Sequence, residues 1–180
     1  MSFARVRALV VVGVLAVAAV VFVVVALVKD TQRDVVAGES CPTGAPLADV
    51  QLPDDPAQVT LKVYNATDRS GLAGQVTDAF KNRRFKTEKP AENKKQYDGV
   101  AIMRYGPKAV GSAQLVRAYF LDHAKLEYDA KRTNKVIDVV IGQDFQQLAT
   151  TTEVNQSLVE IGEPEAPPGS CPAPADEDAQ

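Results

Sequence analysis

The side chains best suited to nucleophilic or metal chemistry in this chain are one histidine, His123, and two cysteines, Cys41 and Cys171. A Ser-His-Asp or Cys-His arrangement has to use His123, which stands in Leu121-Asp122-His123-Ala124-Lys125 at the predicted end of a helix, where an imidazole ordinarily serves as a solvated cap. Neither cysteine has a second cysteine or a histidine at metal-ligand spacing, so a zinc site fails on ligand number. Gly71, Gly74, Gly106 and Gly111 match neither the phosphate-loop nor the dinucleotide spacing. Asp122 and Glu127 read as ordinary helix-end and strand charges. The sequence therefore predicts no catalytic residue, no metal and no cofactor.

The cysteines point to a structural role. Each precedes a proline, and each lies outside the regular pattern of the middle of the chain. A lipid-modified Cys41 is disfavoured because Gly38-Glu39-Ser40 lacks the apolar residue expected before it. One disulfide joining Cys41 and Cys171 closes a loop of 130 residues, worth very roughly 5 kcal/mol in the simple chain-entropy treatment, and implies an oxidising compartment. The competing reading is two free thiols in unfolded flanks.

Two features offer binding chemistry. The first is a basic series, Lys81, Arg83, Arg84 and Lys86, continued by Lys89, Lys94 and Lys95; it suits an anionic polymer or lipid head groups, against the plain alternative of a solvated helix end. The second is the loop Asn65-Ala66-Thr67-Asp68-Arg69-Ser70-Gly71. There Asn65, Thr67, Arg69 and Gly71 sit beside a predicted helix N-terminus, a natural place for an anion; the plain alternative is capping alone, with Ser70 or Asp68 as acceptors.

Periodicity supplies the elements that position these residues. Alternation of apolar residues at 59, 61 and 63 predicts a strand over 59–64. A helix follows over 72–84, with Leu72, Val76, Ala79 and Phe80 on one face. Strands are expected over 85–89 and 100–105, and a second helix from Pro107 to about Leu121. Two further strands, 126–131 and 136–141, are separated by Thr133-Asn134, a plausible tight turn. The order implies an α+β fold: a ferredoxin-like βαββαβ sheet with an added strand, both helices on one face.

Outside this core the composition changes. Residues 57–150 carry 16 lysines and arginines against 10 acids, whereas residues 151–180 carry seven acids and no base. Residues 29–56 read as an unfolded linker and 151–180 as an acidic, proline-rich tail. Residues 8–28 contain no charged or polar side chain; as a helix they would rise about 31 Å, enough to span a hydrocarbon core. They predict a single transmembrane helix after a cytoplasmic tail, residues 1–7, the alternative being a cleaved signal. Arg5 and Arg7 are matched by Lys29 and Arg33 across it, so side-chain charge alone leaves orientation open; the short amino-terminal tail and the cysteines favour a cytoplasmic N-terminus and an extracytoplasmic domain.

Leu61-Lys62-Val63-Tyr64-Asn65-Ala66-Thr67-Asp68-Arg69-Ser70-Gly71-Leu72-Ala73 resembles the opening of the LytR C-terminal domain family, in which a strand ends in Asn-Gly-Thr or Asn-Gly-Ser before a Gly-Leu-Ala helix start. Alanine 66 stands where that family usually has glycine. Ile102-x-x-Tyr105 and Val139-Val140-Ile141-Gly142-Gln143-Asp144-Phe145 are similar to its later segments, so the likeness covers residues 57–148. The resemblance implies an accessory domain of an actinobacterial cell envelope; the chain has no room for the separate glycopolymer-transferring domain of full-length LytR-type proteins, and nothing in it implies nucleic-acid binding. The expected function is a non-catalytic, membrane-anchored domain that binds peptidoglycan, anionic wall glycopolymer or an envelope protein and supports envelope integrity. The rival is a regulatory accessory subunit of a glycopolymer transferase. A third reading, a cytoplasmic nucleic-acid binder, needs the opposite orientation.

Overall fold

A computed structural model describes residues 41–174 together with Gly13, Ala16, Val17, Ala19 and Val20, which are helical and exposed. Among the described residues no helix is long and apolar enough to cross a membrane, and most of the predicted transmembrane run, 8–28, lies outside them.

Residues 41–174 form eight strands and three α-helices: β1 (Leu47–Ala48), β2 (Thr60–Asn65), α1 (Leu72–Asn82), β3 (Lys86–Thr87), β4 (Ala91–Glu92), β5 (Ala101–Tyr105), α2 (Val110–Ala118), β6 (Ala124–Tyr128), β7 (Val136–Ile141), α3 (Thr151–Ile161) and β8 (Cys171–Pro172). The main sheet has the order β3-β2-β7-β5-β6, and β4 lies beside β2 as well. β3 pairs with the start of β2 and β4 with its end; Pro90, which has no N–H for a ladder, sits between them. All neighbours are parallel except β5 and β7, which run antiparallel.

The α+β class is as expected, but the ferredoxin-like order is not found. In place of a hairpin, β6 and β7 lie on opposite sides of β5, and β7 enters the middle of the sheet between two βαβ units. The physical reason lies in the strands themselves. Ile137, Val139, Val140 and Ile141 are buried on both faces, as a central strand requires, whereas β6 exposes Lys125 and Leu126 and accepts an edge. Residues 129–135, around Thr133-Asn134, are a connection and not a tight turn between paired strands.

One sheet face is covered. Leu61 and Val63 of β2, Met103 and Tyr105 of β5, and Ile137, Val139 and Ile141 of β7 pack with Val76 and Phe80 of α1 and Val116 of α2. Phe80 contacts Phe85, Tyr119 and Phe120 at its centre, with ring centroids 5.2 to 6.3 Å apart. The opposite face carries only a small apolar group, Ala66, Ile102 and Val140 with Tyr64 and Tyr97 packed against it. It is otherwise open.

The described parts of the flanks, residues 41–56 and 151–174, are folded, contrary to the linker expected over 29–56 and the tail expected over 151–180; residues 29–40 and 175–180 lie outside the described residues. β1 and β8 pair in parallel, Leu47 opposite Cys171, and Ala48 is wholly buried. Asp49 donates its N–H to Pro107 O at 2.7 Å and accepts from Gly111 N at 2.9 Å. A Cβ at Gly111 would stand 1.9 Å from Gln51 O, so only glycine lets this segment cross α2. α3 starts at a capping box: Glu153 N donates to the Thr150 hydroxyl, and Thr150 N donates to the Glu153 carboxylate at 2.7 Å. Val154, Leu158 and Ile161 of α3 and Val50 pack against the core, and small buried side chains, backbone hydrogen bonds and the Cys41–Cys171 disulfide, with Cα atoms 6.0 Å apart, hold the rest.

Candidate functional site

The Asn65 loop is a closed hydrogen-bond circuit. Asn65 is 3% exposed. Its Nδ2 donates to Arg69 O at 2.9 Å, and its Oδ1 accepts from Thr67 N at 3.1 Å and from Thr67 Oγ1 at 2.8 Å. Arg69 N donates to Thr67 Oγ1 at 3.0 Å, and Arg69 Nη2 reaches Phe145 O at 2.8 Å. Gly71, at φ 75°, takes the left-handed turn into α1, and no side chain caps that helix; Ser70 and Asp68 do not. The four predicted loop residues are thus brought together, with their polar atoms directed at one another. Ala66 is buried at ordinary negative φ, its N–H on Ile141 O at 2.8 Å.

The predicted basic series divides. Lys81 pairs with Asp78 at 3.0 Å and Arg84 with Asp55 at 2.8 Å. Arg83 donates to Ala79 O at 2.9 Å and lies 5.9 Å from the centre of the Tyr119 ring; burial pushes the Tyr119 hydroxyl pKa up against the opposing pull of that guanidinium. Arg83 also borders a groove of about 380 Å³ between α1 and residues 145–150, lined by Leu72, Gln75, Ala79 and Thr150. Lys86 is exposed on the edge strand. His123 is exposed on the turn after α2.

Lys94 and Lys95 go elsewhere. They stand with Tyr64, Glu92, Asn93 and Arg104 around a depression of about 400 Å³ on the open sheet face. Lys62 joins them, its Nζ 5.2 Å from the Tyr64 ring centre. Strand register arranges this face as a row of alternating charge: Lys62 lies opposite Asp138, Asp138 opposite Arg104, and Arg104 opposite Glu127. Arg104 Nε contacts Glu127 at 2.9 Å, Lys125 contacts it at 3.0 Å, and Arg132 contacts Asp138 at 2.9 Å. The hydrogen bonds from Arg104 and Lys125 hold the Glu127 carboxyl below the usual carboxylate range. Lys62, Lys94 and Lys95 have no carboxylate within ion-pair distance among the described residues. Sequence reasoning overlooked Lys62, Tyr64 and Arg104. Their signal was the strand alternation itself, which puts 62 and 64 on the face away from Leu61 and Val63.

The family described as LytR cell envelope-related transcriptional attenuator, LytR_C, matches residues 58–145. This chain carries a LytR_C domain. The LytR_C domain encloses the Asn65 loop, the open sheet face and the charged row, whereas β1, α3, β8 and the disulfide lie outside the matched residues. Among solved structures, the soluble domain of a conserved hypothetical secreted protein of Mycobacterium marinum is similar in fold, with a TM-score of 0.50, 23% identity, and coverage of 63% of this chain and 74% of that one. A comparison with curated proteins gives no match.

Proposed function

We propose that this protein is a non-catalytic, membrane-anchored extracytoplasmic domain that supports the cell envelope by holding an anionic wall polymer on the open face of its sheet. The observation that carries the reading is the cluster of Lys62, Lys94, Lys95 and Arg104 around Tyr64 on the face that no helix covers. Three of these cations are without carboxylate partners among the described residues, so they attract phosphate or carboxylate groups at little cost in broken ion pairs. Tyr64 adds an aromatic surface for the polymer backbone. The disulfide supports a location in an oxidising compartment, and the LytR_C match supports the envelope. Anchoring rests on the apolar run at 8–28.

The test is sedimentation of the soluble domain, residues 41–174, with purified peptidoglycan that retains or has lost its anionic glycopolymer. Retention that needs the glycopolymer, weakens with salt and falls at least tenfold in Lys94→Glu/Lys95→Glu is expected. No retention at physiological salt overturns the reading.

A further inference from the structure

On the helix-covered side of the sheet, at the β6 edge, a cavity of about 420 Å³ opens between α2 and residues 161–168. Its floor is the tilted ring pair Tyr105 and Tyr128, centroids 5.8 Å apart. Gln114 and Arg117 rise from α2 at its side, Arg117 ion-paired with Asp122. Pro167 and Pro168 form its roof, with Glu163 and Glu165 on the same segment.

That roof is hydrogen-bonded to the body only at its ends, with Ala166 packed against the core between them. Gln114 Nε2 donates to Gly162 O at 2.7 Å on one side; on the other, Cys171 N donates to Pro46 O at 3.0 Å and the disulfide fixes Cys171 to Cys41. Between them residues 163–169 make no hydrogen bond to the body of the domain among the described residues; Ser170 turns back on Pro167 O instead. Tyr128 offers the cavity its ring and not its hydroxyl, which is shut off from solvent and without a hydrogen-bond partner.

We propose that this cavity is a second binding site, a slot for a neutral sugar ring, with residues 163–170 as a strap locked over it by the Cys41–Cys171 disulfide. Aromatic floor and proline roof match the two apolar faces of a pyranose. The amide, guanidinium and carboxylates at the margin match its hydroxyl groups, Arg and Glu binding vicinal hydroxyls in pairs. Both signs of charge are present, so a polyanion gains nothing here. The slot and the cationic sheet face lie on opposite sides of the sheet, and this inference does not depend on that face.

Titration of isotope-labelled domain with N,N′,N″-triacetylchitotriose, followed by NMR, tests it. Saturable shifts at Tyr105 and Tyr128 are expected, with affinity at least fivefold weaker in Cys41→Ser/Cys171→Ser and in Pro167→Gly/Pro168→Gly, the latter changed only in the part-exposed strap. Lys94→Glu/Lys95→Glu is expected to bind the sugar unchanged. Absence of binding, shifts confined to other residues, or affinity indifferent to both strap variants overturns the proposal.

Discussion

The guanidinium of Arg69 donates to the carbonyl oxygen of Phe145 at 2.8 Å, across 76 residues of chain. β2 and β7 are parallel neighbours, so this bond ties the loop leaving one to the turn leaving the other. The Asn65 circuit holds Arg69 in place for it. The loop's polar groups are therefore a brace at one end of the sheet, and this sets what substitution there should do.

Asn65→Ala leaves Thr67 N and Arg69 O without their side-chain partner in a part-buried loop, a loss of about 2–3 kcal/mol. Arg69→Ala removes one charge-assisted bond at a partly exposed position, about 1.5 kcal/mol. Urea midpoints of the two variants are expected in that order below the parent, with unchanged m-values.

Gly111→Ala places a methyl group against Gln51 O, backbone that cannot rotate away. A loss of about 2–3 kcal/mol is expected, of the size found for overpacking. The damage should be local: limited proteolysis is expected to cut within residues 45–56 in the variant at protease levels that leave the parent whole.

Reduction of Cys41–Cys171 releases a loop of 130 residues, and the chain-entropy treatment sets the upper end of its effect at about 5 kcal/mol. Urea unfolding with and without dithiothreitol measures it. Because β1, β8 and α3 lie outside the LytR_C residues, the reduced domain is expected to stay folded over 58–145, with hydrogen exchange rising first at 41–56 and 162–174.

Glu127 carries the pH dependence that can be assigned on the sheet face. Its folded pKa lies below the usual 4.5, so its pairs with Arg104 and Lys125 favour folding above that value, and the contribution is lost as pH falls through the folded pKa. Arg104→Gln is expected to return the carboxyl towards 4.5, read by carbon NMR titration, and to flatten the fall in stability between pH 5 and 3.

Much of the domain was legible in the sequence. Alternation found β2, the strands expected over 100–105 and 136–141 stand as β5 and β7, and the spacing of Leu72, Val76 and Phe80 found α1. The sheet order was not legible, because the seven residues between β6 and β7, polar but for Ala130, suit a hairpin or a crossover equally; burial of β7 on both faces decides between them. The flanks were misread because their apolar residues are sparse among acids and prolines: Ala48 and Cys171 fill core positions with very little side chain, and Val154, Leu158 and Ile161 form the inner face of α3. Thr150-x-x-Glu153 was a readable start for α3 that the acidic, proline-rich composition around it obscured. At the sites, an asparagine turned on its own loop and one turned on a ligand look alike in one dimension.

The disulfide also has a mechanical meaning. A pull that enters ahead of Cys41 reaches Cys171 through one covalent bond and leaves along the residues after it, so β1, inside the closed loop, carries none of the tension. Residues between the cysteines are bypassed by any force running from one end of the chain to the other. The sheet that presents Tyr64 and its cations can thus keep its shape while the chain on either side is under strain.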